Sequence, residues 1–180
     1  MITIISSSNR KGNATYAFAE YYFQRIQSKT EEAVHLLDLT DLPTDIVHLD
    51  MYHPESQSKG VAKIQDEFIL PANKFVFVVP EYNGSFPGIL KLFLDACSIR
   101  MYRETFFGKK AALVGIASGR AGNLRGMDHL TGVLHHVGTH VLPNKLPISS
   151  IKQLLDENRS LTDEGTQAAI DRQIDEFLAF

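Results

Sequence analysis

Residues 74 to 80 read KFVFVVP, and residues 81 to 91 continue as EYNGSFPGILK. After its opening lysine the first segment is entirely apolar and rich in valine and phenylalanine, a composition typical of strands buried on both faces of a parallel sheet. The second segment contains glycine and then proline, which favours the first turn of a helix. We therefore predict a buried strand over Lys74–Pro80, a loop after it, and a helix over Pro87–Ile99.

Outward from this segment, short apolar runs alternate along the chain with longer runs of helical periodicity. The predicted strands are Ile2–Ser6, Ala33–Leu39, Lys74–Pro80, Ala111–Ser118 and a broken fifth strand over His140–Ile148. The predicted helices are Ala14–Ser28, Ile64–Leu70, Pro87–Ile99, Leu124–Val137 and Thr162–Leu178. This alternation is typical of α/β proteins, so we expect a three-layer sandwich, with helices on both faces of a five-stranded parallel sheet. For the strand order we adopt 2-1-3-4-5, one of the two common orders of doubly wound sheets. The polar stretch Asp41–Lys59 is predicted to be a long surface connection.

Composition narrows the class of protein. The chain has 180 residues, 44% of them hydrophobic, which is enough for one domain spanning residues 1–180 without disulfides. Acidic residues outnumber basic ones 21 to 18, so the formal charge is −3 and no basic excess favours nucleic acid or anionic lipid. The single cysteine, Cys97, and an N-terminal apolar run far shorter than a signal sequence or membrane span indicate a cytoplasmic protein that binds neither nucleic acid nor membranes.

Ligands of open α/β sheets bind at the carboxyl ends of the strands, so the loops after the first, third and fourth strands are the candidate site. The first loop, residues 6 to 15, reads SSSNRKGNAT. Its hydroxyls, backbone N–H groups and two cations precede a helix, whose N-terminus favours a phosphate. Helix capping is a common use of such residues, but a loop of this length with Arg10 and Lys11 exceeds what a cap requires. Because neither G-x-G-x-x-G nor G-x-x-x-x-G-K-[ST] is present, we favour a monophosphate ligand.

The second and third loops combine flexible backbone with side chains suited to a flat ligand. The second loop, residues 80 to 88, reads PEYNGSFPG, and the third loop, residues 118 to 123, reads SGRAGN. Glycine lets the backbone approach a ring closely, and Tyr82 could lie beside one, whereas Phe86 is better explained as a core residue. Arg120 could neutralise an anionic ring or a dinucleotide phosphate, and a solvated surface arginine is an equal alternative.

The segment Pro80–Lys91, with Asp95 after it, resembles the P-E-Y-N-x-S-x-P-x-x-L-K…D signature of the NADPH-dependent FMN reductase family. The first loop is similar to that family's G-S-x-R-x-x-S-x-N phosphate loop, and the start of the third loop is similar to its G-G-R loop. The resemblance implies a flavodoxin-like fold. The chain departs from the family at four positions. Ser7 stands where glycine is usual, Asn13 and Thr15 replace the usual serine and asparagine, and Ala96 stands where tryptophan is frequent.

The resemblance also implies an oxidoreductase with FMN as cofactor and NADPH or NADH as co-substrate. Hydride would pass from the nicotinamide to the flavin and then to a small acceptor, such as free flavin, a quinone, an azo compound or a metal oxyanion. Because the cofactor carries this chemistry, we assign no catalytic acid or base. The family implies a homodimer or homotetramer. The implied cofactor-binding residues, with the phosphate held by the first loop and the ring by the others, are Ser8, Arg10, Asn13, Ala14, Thr15, Pro80, Glu81, Tyr82, Asn83, Gly84, Ser85, Ser118, Gly119 and Arg120.

A metal site, a reactive thiol and an electron carrier are alternatives to an FMN-dependent enzyme. His129, His135, His136 and His140 lie close in sequence, but their spacing matches no familiar metal-ligand pattern, and surface histidines are the simpler explanation. Cys97 falls on the apolar side of a helix and is more simply a buried hydrophobic residue than a reactive thiol. A flavodoxin-like electron carrier is a further alternative, although such carriers are strongly acidic. Another alternative is an interaction protein that has lost its cofactor, because the first loop departs from the family's pattern.

Overall fold

A parallel β-sheet runs through the centre of the molecule. The computed structural model describes residues 1–180, and its strands are β1 (Ile2–Ser6), β2 (Val34–Asp38), β3 (Lys74–Pro80), β4 (Lys110–Ile116), β5 (His140–Val141) and β6 (Leu146–Ile148). Their order is β2-β1-β3-β4-β5, β6 also pairs with β4, and every pairing is parallel. The predicted order is therefore confirmed, and the broken fifth strand consists of two short strands, which makes the sheet six-stranded rather than five-stranded.

The helices lie on both faces of this sheet. They are α1 (Thr15–Gln27), α2 (Lys59–Ile64), α3 (Gly88–Cys97), α4 (Tyr102–Phe106), α5 (Leu124–His136) and α6 (Glu164–Ala179). Helices α1, α3, α5 and α6 confirm the predicted bounds to within two residues at each end. Helix α2 begins earlier than predicted and continues as a π-helical turn over Gln65–Ile69. None of the helices combines the length and the hydropathy that crossing a membrane requires.

Strand β3 lies in the middle of the sheet and is buried on both faces. Phe75, Phe77 and Val79 enter a core of 23 buried residues shared with α3 and α5. Val76 and Val78 point the other way, into a core of 17 buried residues shared with α1 and α6. Because buried apolar surface stabilises a fold by roughly 25 cal/mol per Å², this doubly covered strand is the natural centre of the structure.

Gln65 stabilises α4, a helix that the sequence pattern did not predict. Its fully buried side chain places Nε2 2.9 Å from the carbonyl oxygens of Cys97 and Arg100 and 2.8 Å from Thr105 Oγ1. Its Oε1 accepts a hydrogen bond of 2.7 Å from Gln57. The amide thus joins the end of α3 to α4, a helix too short to form by local propensity alone.

The connection between β2 and α2 is largely exposed, in keeping with the surface stretch predicted over residues 41–59, but a few of its side chains enter the core. Ile46 and Met51 are buried in the same core as α3. Gln57 also donates a 2.8 Å hydrogen bond to the carbonyl oxygen of Ala96. The segment is therefore packed against α3, with short helical turns at Thr44–Ile46 and Pro54–Ser56.

Strand β4 and the third loop approach each other closely at Gly115. A Cβ atom added to Gly115 would lie 2.1 Å from the carbonyl oxygen of Gly122. Gly122 itself has a φ of 54°, and a Cβ added there would lie 2.6 Å from Pro147 Cβ. Glycine is therefore required at both positions if the third loop is to fold back onto the sheet.

Gly115→Ala is expected to displace the third loop and to lower the free energy of unfolding by about 2–3 kcal/mol, because the added methyl group overlaps backbone that has no room to move. Urea unfolding followed by circular dichroism measures the loss. The control is Gly165→Ala in the first turn of α6, where the nearest atom is 3.4 Å from the added Cβ. Alanine there should be neutral or stabilising by up to about 1 kcal/mol, and equal stability of the two variants would contradict the close approach.

Candidate functional site

The carboxyl ends of β1, β3 and β4 are neighbours at one edge of the sheet. Ser6 of β1 aligns with Val78 of β3, and Pro80 of β3 aligns with Ile116 of β4. The first, second and third loops therefore begin side by side. All of the residues predicted to bind the cofactor lie in these loops, so the sheet brings the three sequence motifs to one edge, as expected for this topology.

The first loop turns from β1 into α1 with its hydroxyl groups inward. Ser8 is fully buried, and Thr15 is 2% exposed. Ser8 Oγ accepts the backbone N–H of Arg10 at 3.2 Å. Asn13 closes the loop, because its Oδ1 accepts the backbone N–H of Tyr16 at 3.1 Å and its Nδ2 donates to the carbonyl oxygen of Arg10 at 2.7 Å. Asn13, one of the predicted candidates, thus precedes the N-cap residue Ala14 and satisfies a backbone N–H in the first turn of α1.

The second loop contains a tight turn. Tyr82 and Ser85 exchange backbone hydrogen bonds of 2.9 and 3.1 Å. Asn83 and Gly84 between them have φ values of 53° and 79°, the left-handed conformation for which the Asn-Gly pair is suited. Glu81 Oε1 accepts the backbone N–H of Gly84 at 2.6 Å, so its carboxylate braces the turn.

The first and second loops meet through Ser8 and Tyr82. The distance between Ser8 Oγ and the Tyr82 hydroxyl is 2.6 Å, a short hydrogen bond between residues 74 positions apart in the sequence. The guanidinium of Arg10 lies over the Tyr82 ring, 5.7 Å from its centroid, within the range of a cation–π contact. These contacts unite the predicted phosphate loop and the predicted ring loop in one polar cluster.

The third loop lies at the same edge but is tied down from elsewhere. Its first three residues, Ser118–Arg120, are exposed. The carbonyl oxygen of Gly119 accepts the backbone N–H of Ser150 at 3.1 Å. At the other end, Asn123 is 2% exposed and its Nδ2 donates to the carbonyl oxygen of Val79 at 3.0 Å. The third loop is therefore held to β3 and to the segment after β6. Its predicted residues, Ser118–Arg120, do not tie it to the other two loops.

Two contacts to these loops come from residues that the sequence motifs did not indicate. His129 on α5 places Nδ1 2.9 Å from Ser85 Oγ in the second loop. Arg159, in the segment between β6 and α6, donates from Nη2 to the carbonyl oxygen of Gly12 at 2.6 Å. Both residues lie far along the chain from the loops that they touch, and no local pattern indicates such contacts.

The charge around the first loop favours an anion. The first turn of α1 contains no acidic residue, and the partial positive charge of a helix N-terminus attracts anions. Arg10 and Lys11 add two exposed cations. Tyr16, in the first turn of α1, has a hydroxyl pKa raised by partial burial and by the nearby carboxylates of Glu20 and Asp38. Carboxylates therefore also lie near the first turn of α1, and the groups that favour an anion are Arg10, Lys11 and the helix N-terminus itself.

Cys97 is fully buried on α3, as predicted, and burial raises the pKa of its thiol. A buried, protonated thiol is a poor nucleophile. No group of three or more histidine, cysteine, aspartate or glutamate side chains is arranged to hold a metal ion.

Comparison with known proteins places this site in a family. Residues 1–153 match the family described as NADPH-dependent FMN reductase. The chain is 31% identical over 134 residues to an NAD(P)H-dependent FMN reductase of Pseudomonas aeruginosa, covering 72% of each protein. It is 30% identical over 146 residues to a 2-hydroxy-1,4-benzoquinone reductase of a Burkholderia species, covering 80% of this chain and 76% of that one. Among solved structures, FerB, a flavoenzyme NAD(P)H:(acceptor) oxidoreductase from Paracoccus denitrificans, has a TM-score of 0.82 at 24% identity, covering 99% of this chain and 94% of that one.

The sheet order and the loops at its carboxyl edge define a protein of the flavodoxin-like class. Within that class, the chain belongs to the NADPH-dependent FMN reductase family. It is an NAD(P)H-dependent flavin oxidoreductase, with FMN as its cofactor and NAD(P)H as its co-substrate. The enzyme is thereby favoured over the electron carrier that the sequence left as an alternative.

Tyr82→Phe is expected to lower the free energy of unfolding by about 1 kcal/mol, because it removes the hydrogen bond to Ser8 and keeps the ring under Arg10. Urea unfolding measures the change. Tyr16→Phe is the control, since the Tyr16 side chain is 39% exposed and its hydroxyl makes no hydrogen bond within the protein. If both variants unfold at the same urea concentration as the parent protein, the hydrogen bond does not hold the two loops together.

Proposed function

We propose that residues 1–180 form one cytoplasmic flavodoxin-like domain that holds FMN across the three loops and reduces a small-molecule acceptor. The first loop binds the phosphate through Ser8, Arg10, Asn13, Ala14 and Thr15. The second loop lines one side of the isoalloxazine ring with Pro80–Ser85, and Ser118–Arg120 of the third loop closes the other. The observation that carries the proposal is the 2.6 Å contact between Ser8 and Tyr82, because it joins the phosphate loop to the ring loop.

The donor groups of the first loop suit a phosphate monoester. The hydroxyls of Ser8 and Thr15, the guanidinium of Arg10 and the amide of Asn13 can all donate hydrogen bonds to phosphate oxygens. No carboxylate lies in the first turn of α1 to repel them. Ser6 Oγ is buried at the base of the loop without a hydrogen-bond partner in the protein, and buried polar atoms ordinarily have one. The residues present therefore fit FMN.

The protein contributes geometry to the reaction. When bound, FMN supplies the two-electron chemistry, in which hydride from the nicotinamide is taken up at the ring and passed to the acceptor. The braced turn at Asn83 and Gly84 keeps the backbone donors of the second loop in a fixed arrangement, and preorganised donors stabilise negative charge without reorganisation. Because the Glu81 carboxylate is engaged in bracing this turn, we assign no residue as a general acid or base.

Quinones are the class of acceptor that we propose. The relative from Burkholderia is named for a benzoquinone that it reduces. Glu81 and Asn83 are exposed, so the second loop leaves room for a planar oxidant at the sheet edge. Overall, NAD(P)H, a proton and a quinone would give NAD(P)⁺ and a hydroquinone, with the hydride supplying two electrons and solvent supplying the proton.

Steady-state oxidation of NADPH and NADH by the FMN-loaded protein tests this choice of acceptor. The assay compares 1,4-benzoquinone, an azo dye and free FMN, each with a protein-free control for the direct reaction. We expect the highest kcat/KM with the quinone. A higher value with free FMN or the azo dye would contradict the acceptor class, and no turnover with any acceptor would contradict the oxidoreductase itself.

Arg10→Ala is expected to raise the Kd of FMN about 10-fold, because it removes a cation from the phosphate. The Kd of riboflavin, which has no phosphate, should change by less than about twofold. Lys11→Ala is the control, since it removes the same charge from the neighbouring exposed position. Flavin fluorescence titration measures all three proteins. If Arg10→Ala loses affinity for FMN and for riboflavin equally, the assignment of Arg10 is contradicted. The same holds if Arg10→Ala and Lys11→Ala lose equal affinity for FMN.

We also propose that the protein is a homo-oligomer that associates through the groove between α3 and α5. This groove has a volume of about 510 Å³, and Leu94, Val133 and Val137 contribute its apolar lining. Tyr102, at its edge, is 44% exposed. Polar residues, among them Lys91 and Asp95, line the rest of the groove, and apolar side chains surrounded by polar ones are typical of protein interfaces. The groove also reaches His129, which contacts the second loop, so a second copy seated here would border the flavin site.

Light scattering tests the oligomer. We expect a mass of two or four times the 20.1 kDa chain for the parent protein and a single-chain mass for Tyr102→Glu, because a buried carboxylate opposes association. Tyr52→Glu is the control, because Tyr52 is 60% exposed on the segment before α2 and does not line the groove. A monomeric parent protein would contradict the oligomer, and association retained by Tyr102→Glu would contradict this interface.

A further inference from the structure

Arg159 belongs to a short hairpin that follows β6. Leu155 and Leu161 pair across it as an isolated antiparallel bridge. Asp156 closes its end, because its carboxylate accepts the backbone N–H of Ser160 at 2.7 Å and its carbonyl oxygen accepts that of Arg159 at 2.9 Å. The hairpin lies beyond residues 1–153, the part of the chain that matches the family.

The hairpin is anchored to the core of the molecule by Leu161. Leu161 is 7% exposed and packs in the core shared with α1 and α6. Arg159 has a φ of 65°, the left-handed region that residues other than glycine seldom adopt. Residues persist there when their surroundings over-determine the conformation. From this turn the Arg159 side chain extends to the first loop, where its guanidinium meets the carbonyl oxygen of Gly12.

The contact that results holds the peptide group between Gly12 and Asn13. Arg159 Nη2 donates to the carbonyl oxygen of Gly12 at 2.6 Å, and Gly12 has a φ of 63°. The N–H on the other side of the same peptide group, that of Asn13, donates to the carbonyl oxygen of Arg10 at 3.2 Å. Since a peptide group is planar, fixing its carbonyl also fixes its N–H. Arg159 thus stabilises the turn that sets the positions of Arg10 and Asn13.

We propose that Arg159 is a positioning residue for the phosphate of FMN, acting through the backbone of the first loop. This inference rests on the phosphate site proposed above. Residues 9–12 are exposed and carry two cations that repel each other, so the loop would lose conformational freedom on binding if nothing held it beforehand. A loop held in its binding conformation binds more tightly because that cost is already met. The Arg159 guanidinium also adds a further positive charge beside the loop.

Flavin fluorescence titration of Arg159→Asn with FMN and with riboflavin tests the proposal. Asparagine tolerates a positive φ, so this variant keeps the hairpin and removes the guanidinium. We expect the Kd of FMN to rise about 10-fold and that of riboflavin to rise less than about twofold. Arg172→Asn, on the exposed side of α6, removes an equal charge and should leave both values unchanged. Arg159→Lys, which retains a cationic donor, should recover part of the FMN affinity.

The two flavins distinguish positioning from a general structural role. Equal losses of affinity for FMN and riboflavin in Arg159→Asn would overturn the proposal, because damage to the fold does not depend on the phosphate. An unchanged FMN affinity in Arg159→Asn, with the parent protein preferring FMN to riboflavin, would overturn the role of Arg159 and leave the proposed function standing. No preference for FMN in the parent protein would overturn the phosphate site itself, and Arg159 with it.

Discussion

Burial of strand β3 on both faces is the constraint from which the rest of the structure follows. Phe75 and Phe77 fill one core while Val76 and Val78 fill the other, so a slip of one residue would drive phenylalanine into space that fits valine. The register of β3 is therefore fixed, and β1 and β4 pair with it on either side. The three carboxyl ends meet at one edge for this reason. The position of the candidate site is set by the packing of apolar side chains beneath it.

Loops above such a sheet can carry polar groups, because the core holds the strands from which they extend. Each loop nevertheless forms a hydrogen bond with a part of the chain that is distant in sequence. Tyr82 reaches Ser8 of the first loop, Asn123 ties the third loop to β3, and Arg159 holds Gly12 from beyond β6. The loops are thus organised by the protein itself, which lowers the cost of ordering them around a ligand.

Features that depend on local pattern can be predicted from the sequence. The apolar run over Lys74–Pro80 and the alternation of strands and helices predict a parallel sheet covered by helices, and Asn-Gly predicts the turn in the second loop. Contacts between distant residues cannot be predicted in this way. Gln65 holds α4, His129 reaches the second loop across 44 positions, and Arg159 reaches the first loop across 147. These side chains meet only after the chain has folded, so no sequence window contains both partners.

The central claim is that reducing equivalents pass through FMN held at the carboxyl edge of the sheet. An anaerobic titration of the FMN-loaded protein with NADPH or NADH, followed by flavin absorbance and then by addition of a quinone, tests it most directly. We expect the flavin band to bleach in proportion to the nicotinamide added and to return when the quinone enters. FMN that binds and stays oxidised throughout the titration would contradict the claim.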